Sequence, residues 1–152
     1  PSGVNKGQVE PAKLVIVDEQ QKVIQGQGRA SAETTLHVEI ITTLQCRAVL
    51  HTHSVESTVL SDHCAKQATI RLEGWEMLKG LKGIATHDTS IDIPIVSNNQ
   101  NMRELSQSIR PYLNTNAPGI LVAGHGLYTW GNSLAEAQRH VEMLEFLFSI
   151  RF

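Results

Sequence analysis

The sequence predicts an α/β fold, because short apolar runs of strand length alternate with stretches whose apolar residues recur at helical spacing. Hydrophobic residues make up 41% and charged residues 18% of the chain, a balance that favours a packed globular protein over a disordered one. A length of 152 residues without internal repeat, low-complexity tract or linker fits a single domain spanning 1–152 with one core.

The elements follow in order. Leu14-Val15-Ile16-Val17 reads as a short buried strand, closed by the polar residues 18–28. Residues 31–44 read as a helix, with Leu36, Ile40 and Leu44 every four positions and Ser31 as its cap. Ala48-Val49-Leu50 opens a second strand that runs into His51-Thr52-His53, and a short helix follows over about residues 55–60. Trp75, Leu78 and Leu81 fall on one side of a further short helix. Ile91-Asp92-Ile93-Pro94-Ile95-Val96 reads as a strand in which Pro94 argues for an edge or a bend. Met102, Leu105, Ile109 and Leu113 mark an amphipathic helix, and Gly119-Ile120-Leu121-Val122-Ala123 a strand that ends at Gly124-His125-Gly126. Ser133-Leu134-Ala135-Glu136 fits a capping box, after which Ala137, Val141, Leu144 and Phe148 form the apolar stripe of the last helix.

Charge and composition exclude several classes of function. A formal charge of −2 gives no cationic footprint for nucleic acid or an anionic membrane. No apolar run approaches the roughly 20 residues that span a bilayer. Pro1-Ser2-Gly3-Val4 lacks the basic flank and apolar stretch of a signal peptide. The two cysteines, Cys46 and Cys64, match neither a metal knuckle nor a redox pair, so a cytoplasmic, reduced setting is expected.

Seven histidines direct attention to their arrangement. His51 and His53 are two apart in a predicted strand, and a period of two sends both imidazoles to one face, where they can chelate one ion. His125 is the natural third ligand, since it also follows an apolar strand and lies between glycines that permit a sharp turn. Three protein ligands leave a fourth position for substrate or water, as in catalytic zinc sites. A lone His-x-His more often marks ordinary core or surface histidines; adding Gly-His-Gly at the end of another apolar strand leaves both readings open. His37 is expected to pack, His63 and His87 to lie on the surface, and His140 to form a helix-surface pair with Glu136.

Four motifs, taken together, carry a resemblance: Ser2-Gly3-Val4-Asn5-Lys6-Gly7, Ser31-Ala32-Glu33, Val49-Leu50-His51-Thr52-His53-Ser54 and Gly124-His125-Gly126-Leu127-Tyr128-Thr129-Trp130-Gly131. The chain resembles the class II aldolase and adducin-head family over essentially its whole length. Tyr128 to Gly131 and Glu73-Gly74-Trp75-Glu76-Met77-Leu78-Lys79-Gly80 are similar to its methylthioribulose-1-phosphate dehydratase branch. The resemblance implies a three-layer α/β/α sandwich around a mixed, mostly antiparallel sheet, and a homotetramer with active sites near subunit boundaries. It implies one zinc ion per subunit on His51, His53 and His125. Glu76 matches the catalytic acid/base of the dehydratase branch, and Glu33 the position of the aldolase branch's catalytic glutamate. Ser2, Gly3 and Ser31 match positions lining the phosphate pocket, where Lys6 can add charge. The family's segment ahead of the Ser-Gly motif has no counterpart here, so the domain is expected to be truncated at its N-terminal side.

The implied reaction is zinc-dependent dehydration of 5-methylthioribulose 1-phosphate to 2,3-diketo-5-methylthiopentyl 1-phosphate, a step of methionine salvage. A glutamate serving as acid and base works best with its pKa raised toward neutrality, which partial burial beside Trp75 would give Glu76. The competing expectation is a solvated Glu76 paired with Lys79 or Lys82. For Glu33 the competing role is a carboxylate favouring a helix dipole. Tyr128 and Trp130 are candidates to wall the substrate pocket, although aromatic residues after a strand also simply pack. Two other functions stay open at this point: retro-aldol cleavage of a sugar phosphate at the same metal, and a non-catalytic association module of the adducin-head kind.

Overall fold

The computed structural model describes residues 9–151. In chain order its elements are β1 (Ile16–Val17), β2 (Val23–Gln25), α1 (Thr34–Leu44), β3 (Ala48–Thr52), α2 (Val55–His63), β4 (Thr69–Glu73), β5 (Ser90–Val96), α3 (Met102–Leu113), β6 (Gly119–Val122), β7 (Gly126–Gly131) and α4 (Leu134–Arg151). Short 3-10 turns occupy Pro11–Lys13, Ala65–Gln67 and Glu76–Gly80.

β3 to β7 form one sheet in the order β3-β7-β6-β5-β4, and β1 and β2 form a separate two-stranded ribbon. Only the β5–β6 pair is parallel; the other three pairs of the main sheet are antiparallel. Successive side chains of a strand point to opposite faces, and the sequence exploits this. Ile120, Val122 and Tyr128 pack with Leu36 and Ile40 of α1 and Leu105, Ile109 and Leu113 of α3. Leu121 and Leu127 pack on the other face with Leu60 of α2 and Leu144, Leu147 and Phe148 of α4. The result is the expected α/β/α arrangement, with two apolar layers separated by a mixed, mostly antiparallel sheet.

Several local expectations are corrected. Residues 14–17 are not a buried strand: only Ile16–Val17 pair, with β2, and Leu14 and Ile16 are more than half exposed because the ribbon stands apart from the main sheet. Pro94 lies inside the sheet, between β4 and β6, rather than at an edge. The N–H of Ile95 bonds to Ala68, so position 94 faces the β6 side, where pairing begins only at Ile95↔Leu121 and no donor is required. In place of a helix over 75–81 there is a tight 3-10 turn at Glu76–Gly80; Leu78 within it and Leu81 just after it are buried, while Trp75 just before it is 46% exposed. Helix α1 begins at Thr34 with Glu33 as its N-cap residue, not Ser31. In the box opening α4, Ser133 Oγ accepts the Glu136 N–H, while the Glu136 carboxylate accepts from Asn132 instead of Ser133.

His140 is a further correction. It is buried under β7, with Nδ1–H donating to the Trp130 carbonyl at 2.8 Å, rather than exposed beside Glu136. Burial holds its imidazole below the usual histidine range, against the opposing pull of that carbonyl and of Glu136. An unfolded histidine gains its proton near pH 6.5 while folded His140 stays neutral, so acidification draws the chain toward the unfolded state. Urea midpoints are therefore expected to fall as pH drops from about 7.5 to about 5, and to fall less in His140→Gln. Identical falls in the two proteins would contradict this placement.

Candidate metal centre

The end of one strand and one tight turn deliver the histidines to one place. His51 is the fourth residue of β3 and pairs across the ladder with Tyr128 of β7. His53 lies just beyond the end of β3, and its ring centroid is 4.3 Å from that of His51. His125 occupies the tight connection between β6 and β7, turned by Gly124 at φ +62°, a left-handed conformation that glycine adopts without strain. Gly126 is demanded by space: a Cβ there would lie 2.1 Å from the Thr52 carbonyl oxygen. The expected period-two pairing of His51 and His53 and the glycine-flanked turn at His125 are thus both present.

A fourth group joins them. Glu33, on the N-cap of α1, places Oε1 3.1 Å from His125 Nε2, 3.4 Å from His51 Nε2 and 3.8 Å from His53 Nε2. His125 Nε2 and His53 Nε2 are 3.1 Å apart, and one ligand atom from each of the four residues lies within 4.8 Å of all the others. Ligands around a tetrahedral zinc ion are about 3.3 Å apart, given Zn–N distances near 2.0–2.1 Å. The cluster is therefore of a size to close on a single ion.

The protonation state of His51 favours the same chemistry. His51 Nδ1–H donates to the Leu127 carbonyl at 2.9 Å, which fixes the tautomer and leaves Nε2 as a lone pair. That Nε2 is buried without a hydrogen-bond donor and faces the Glu33 carboxylate, itself an acceptor. Burial pushes the His51 pKa down to about 4, outweighing the Leu127 carbonyl and Glu33, so the imidazole is neutral at pH 7. The Tyr128 ring stacks on His51 at 3.9 Å with 12° between planes. Tyr128 is fully buried, its hydroxyl pKa raised by burial and then by Glu33. It supports His51 from beneath and does not wall an open pocket. Three imidazole nitrogens and a carboxylate oxygen suit zinc and related divalent metals.

The remaining candidates fall elsewhere. Ser31 lies beside the cluster, its Oγ accepting the Glu33 N–H at 3.3 Å and lying 3.4 Å from Glu33 Oε2. A cavity of about 480 Å³ adjoins the cluster, lined by Ser31, Glu33, His37 and His51 and by apolar residues including Val15 and Val49. A larger hollow of about 670 Å³, lined by Lys82, Glu136 and His140 among others, includes none of the four cluster residues. Ser2, Gly3 and Lys6 lie outside the described residues. Glu76 is not in the cluster: it is exposed and ion-paired with Lys79 at 2.6 Å and with His87 at 3.2 Å. The Lys79 hydrogen bond chiefly lowers its pKa, so burial beside Trp75 does not raise it within this chain. His37 packs edge-on against Tyr128, and His63 and His87 are exposed.

Comparison with known proteins identifies the family and the fold. A methylthioribulose-1-phosphate dehydratase of Marinobacter nauticus is 40% identical over 150 residues, covering 97% of this chain and 72% of that protein. One of Stenotrophomonas maltophilia is 42% identical over 149 residues, covering 97% and 70%. Among solved structures, YgbL of Escherichia coli shares the fold with a TM-score of 0.80 at 24% identity, over 99% of this chain and 69% of that one. The L-fuculose-1-phosphate aldolase of Thermus thermophilus superposes with a TM-score of 0.74 at 25% identity, over 98% and 73%. Residues 1–152 match the class II aldolase and adducin N-terminal domain family, and the chain belongs to that family.

Proposed function

We propose that this chain is a metal-dependent hydro-lyase that dehydrates methylthioribulose 1-phosphate, as its relatives of that name do. The observation that carries the reading is the convergence of His51, His53 and His125 with Glu33 on one point. In this proposal the three imidazoles hold one zinc ion per subunit. When bound, a divalent cation supplies Lewis-acid withdrawal of charge from the substrate's C2 ketone oxygen, which acidifies the proton on C3.

The chain's own residues then manage protons and position. A carboxylate takes the C3 proton, the C4–O bond breaks, and the departing hydroxyl accepts a proton and leaves as water. The resulting enol becomes the C3 ketone, for a net loss of one water. Glu76 is assigned the proton transfers and Glu33 the orientation of groups at the cluster. The α1 N-terminus beside Ser31 offers backbone N–H groups to an anion, and Ser2, Gly3, Lys6 and Ser31 are proposed to receive the phosphate.

Glu76 follows β4, at the opposite edge of the sheet from β3. Four strand spacings separate those edges, about 19 Å. The assignment therefore requires Glu76 of one subunit to serve the histidines of another. Coverage by that neighbour would also desolvate the carboxylate and raise its pKa. Such a contact joins two different surfaces, and heterologous contacts close into rings, in keeping with the proposed homotetramer. Among the described residues no helix is long and apolar enough to cross a membrane, and a cytoplasmic setting is part of the proposal.

Two outcomes are expected. The zinc-loaded protein should convert methylthioribulose 1-phosphate to the diketone with loss of water, and yield no dihydroxyacetone phosphate from fuculose 1-phosphate. Aldol cleavage without dehydration would replace this reading with the aldolase one. Mixing Glu76→Gln and His51→Ala subunits, each inactive alone, should restore about a quarter of wild-type activity if sites are shared between neighbours. No recovery in verified mixed oligomers would remove Glu76 from a shared site.

A further inference from the structure

The three histidines are not held alike. His51 is fixed by the Leu127 carbonyl and the Tyr128 ring, and His125 by its glycine turn. His53 lies beyond the last residue of β3 with its side chain 46% exposed. Beyond the β3 ladder that ends at Thr52, the side chains of both residues flanking it are held by α4, more than 90 residues later in the chain. Thr52 Oγ1 donates to Glu145 Oε1 at 2.5 Å, and Ser54 Oγ donates to Glu145 Oε2 in a short hydrogen bond. One carboxylate thus grips the residue on each side of His53.

The charge on Glu145 gives this grip its direction. A carboxylate only accepts, so both hydroxyls must turn their hydrogens toward it, and charge-assisted O–H···O bonds are the stronger kind. With its hydrogen committed, Ser54 Oγ keeps lone pairs for the Ser57 N–H, 3.0 Å away, and so caps α2. Strand end, histidine and helix start are locked by one anion from a helix anchored in the core through Leu144, Leu147 and Phe148.

We infer that Glu145 is a positioning residue for the metal centre, setting the direction of His53 through Thr52 and Ser54. This rests on the metal-binding reading above. Glutamine in its place would keep the shape but offer an N–H₂ donor where one oxygen stood, so one hydroxyl would meet a donor instead of an acceptor.

The test uses Co²⁺ as probe on wild type and Glu145→Gln, by competition against a coloured chelator, with the visible d–d spectrum and the thermal unfolding of the metal-free proteins recorded alongside. Glu145→Gln should bind Co²⁺ about 10- to 100-fold more weakly, the usual scale for losing a group that supports a metal ligand. It should also show an altered d–d spectrum while remaining folded. A purely structural role would lower metal-free stability but leave the spectrum of the bound ion unchanged. Equal affinity and superimposable spectra overturn the inference. Should Glu145→Gln fail to fold, Thr52→Val removes one hydroxyl, and the same two readings decide. Failure of the wild type to bind Co²⁺ would sink the metal reading itself, whereas wild-type binding matched by the variant sinks only the role of Glu145.

Discussion

The antiparallel register between β3 and β7 sets His51 opposite Tyr128 and Thr52 opposite Leu127, and the histidine cluster depends on that alignment. A slip of one residue would turn His51 toward the other face of the sheet and separate it from the Tyr128 ring and the Leu127 carbonyl. The close approach of Thr52 to Gly126 admits no side chain at position 126, so the same register places the β6–β7 turn, and with it His125, against the end of β3. Two strands and one glycine thereby bring together side chains that are more than 70 residues apart in sequence.

The electrostatic consequence follows from burial. His51 is kept neutral with Nδ1 committed to a carbonyl, so it presents a lone pair where Glu33 also presents an acceptor. Convergent acceptors in a partly buried pocket repel one another unless a proton or a cation stands between them. Glu33 lies at the start of α1, whose dipole favours an anion, so the carboxylate is held in place by the helix it begins. The local physics of this chain thus makes these four residues a place that a cation can occupy.

Much of this was legible in the sequence. A period of two, apolar runs ahead of each histidine motif and glycines around His125 singled out the three imidazoles as candidates, because local backbone geometry decides where they point; spacing left a metal and ordinary packing both open, and the family resemblance tipped the reading. Glu33 was legible as a helix-start carboxylate, but its distance to His125 was not. The strand β7 was harder to see, since Gly-Leu-Tyr-Thr-Trp-Gly is buried on both faces and shows no polar alternation. Residues 14–17 misled because an apolar run reports a need for cover and not what provides it. His140 and Glu145 were hidden for one reason: each acts on a strand through tertiary packing of α4, to which helical periodicity is blind.

The most direct measurement of the central claim is X-ray absorption at the zinc edge of protein reconstituted with one equivalent of zinc. Three imidazole nitrogens are expected at about 2.0–2.1 Å, with the remaining ligands oxygen. His125→Ala should lose one imidazole from the coordination shell. A shell with fewer than three imidazoles in the wild type, or one unchanged by that substitution, would contradict it.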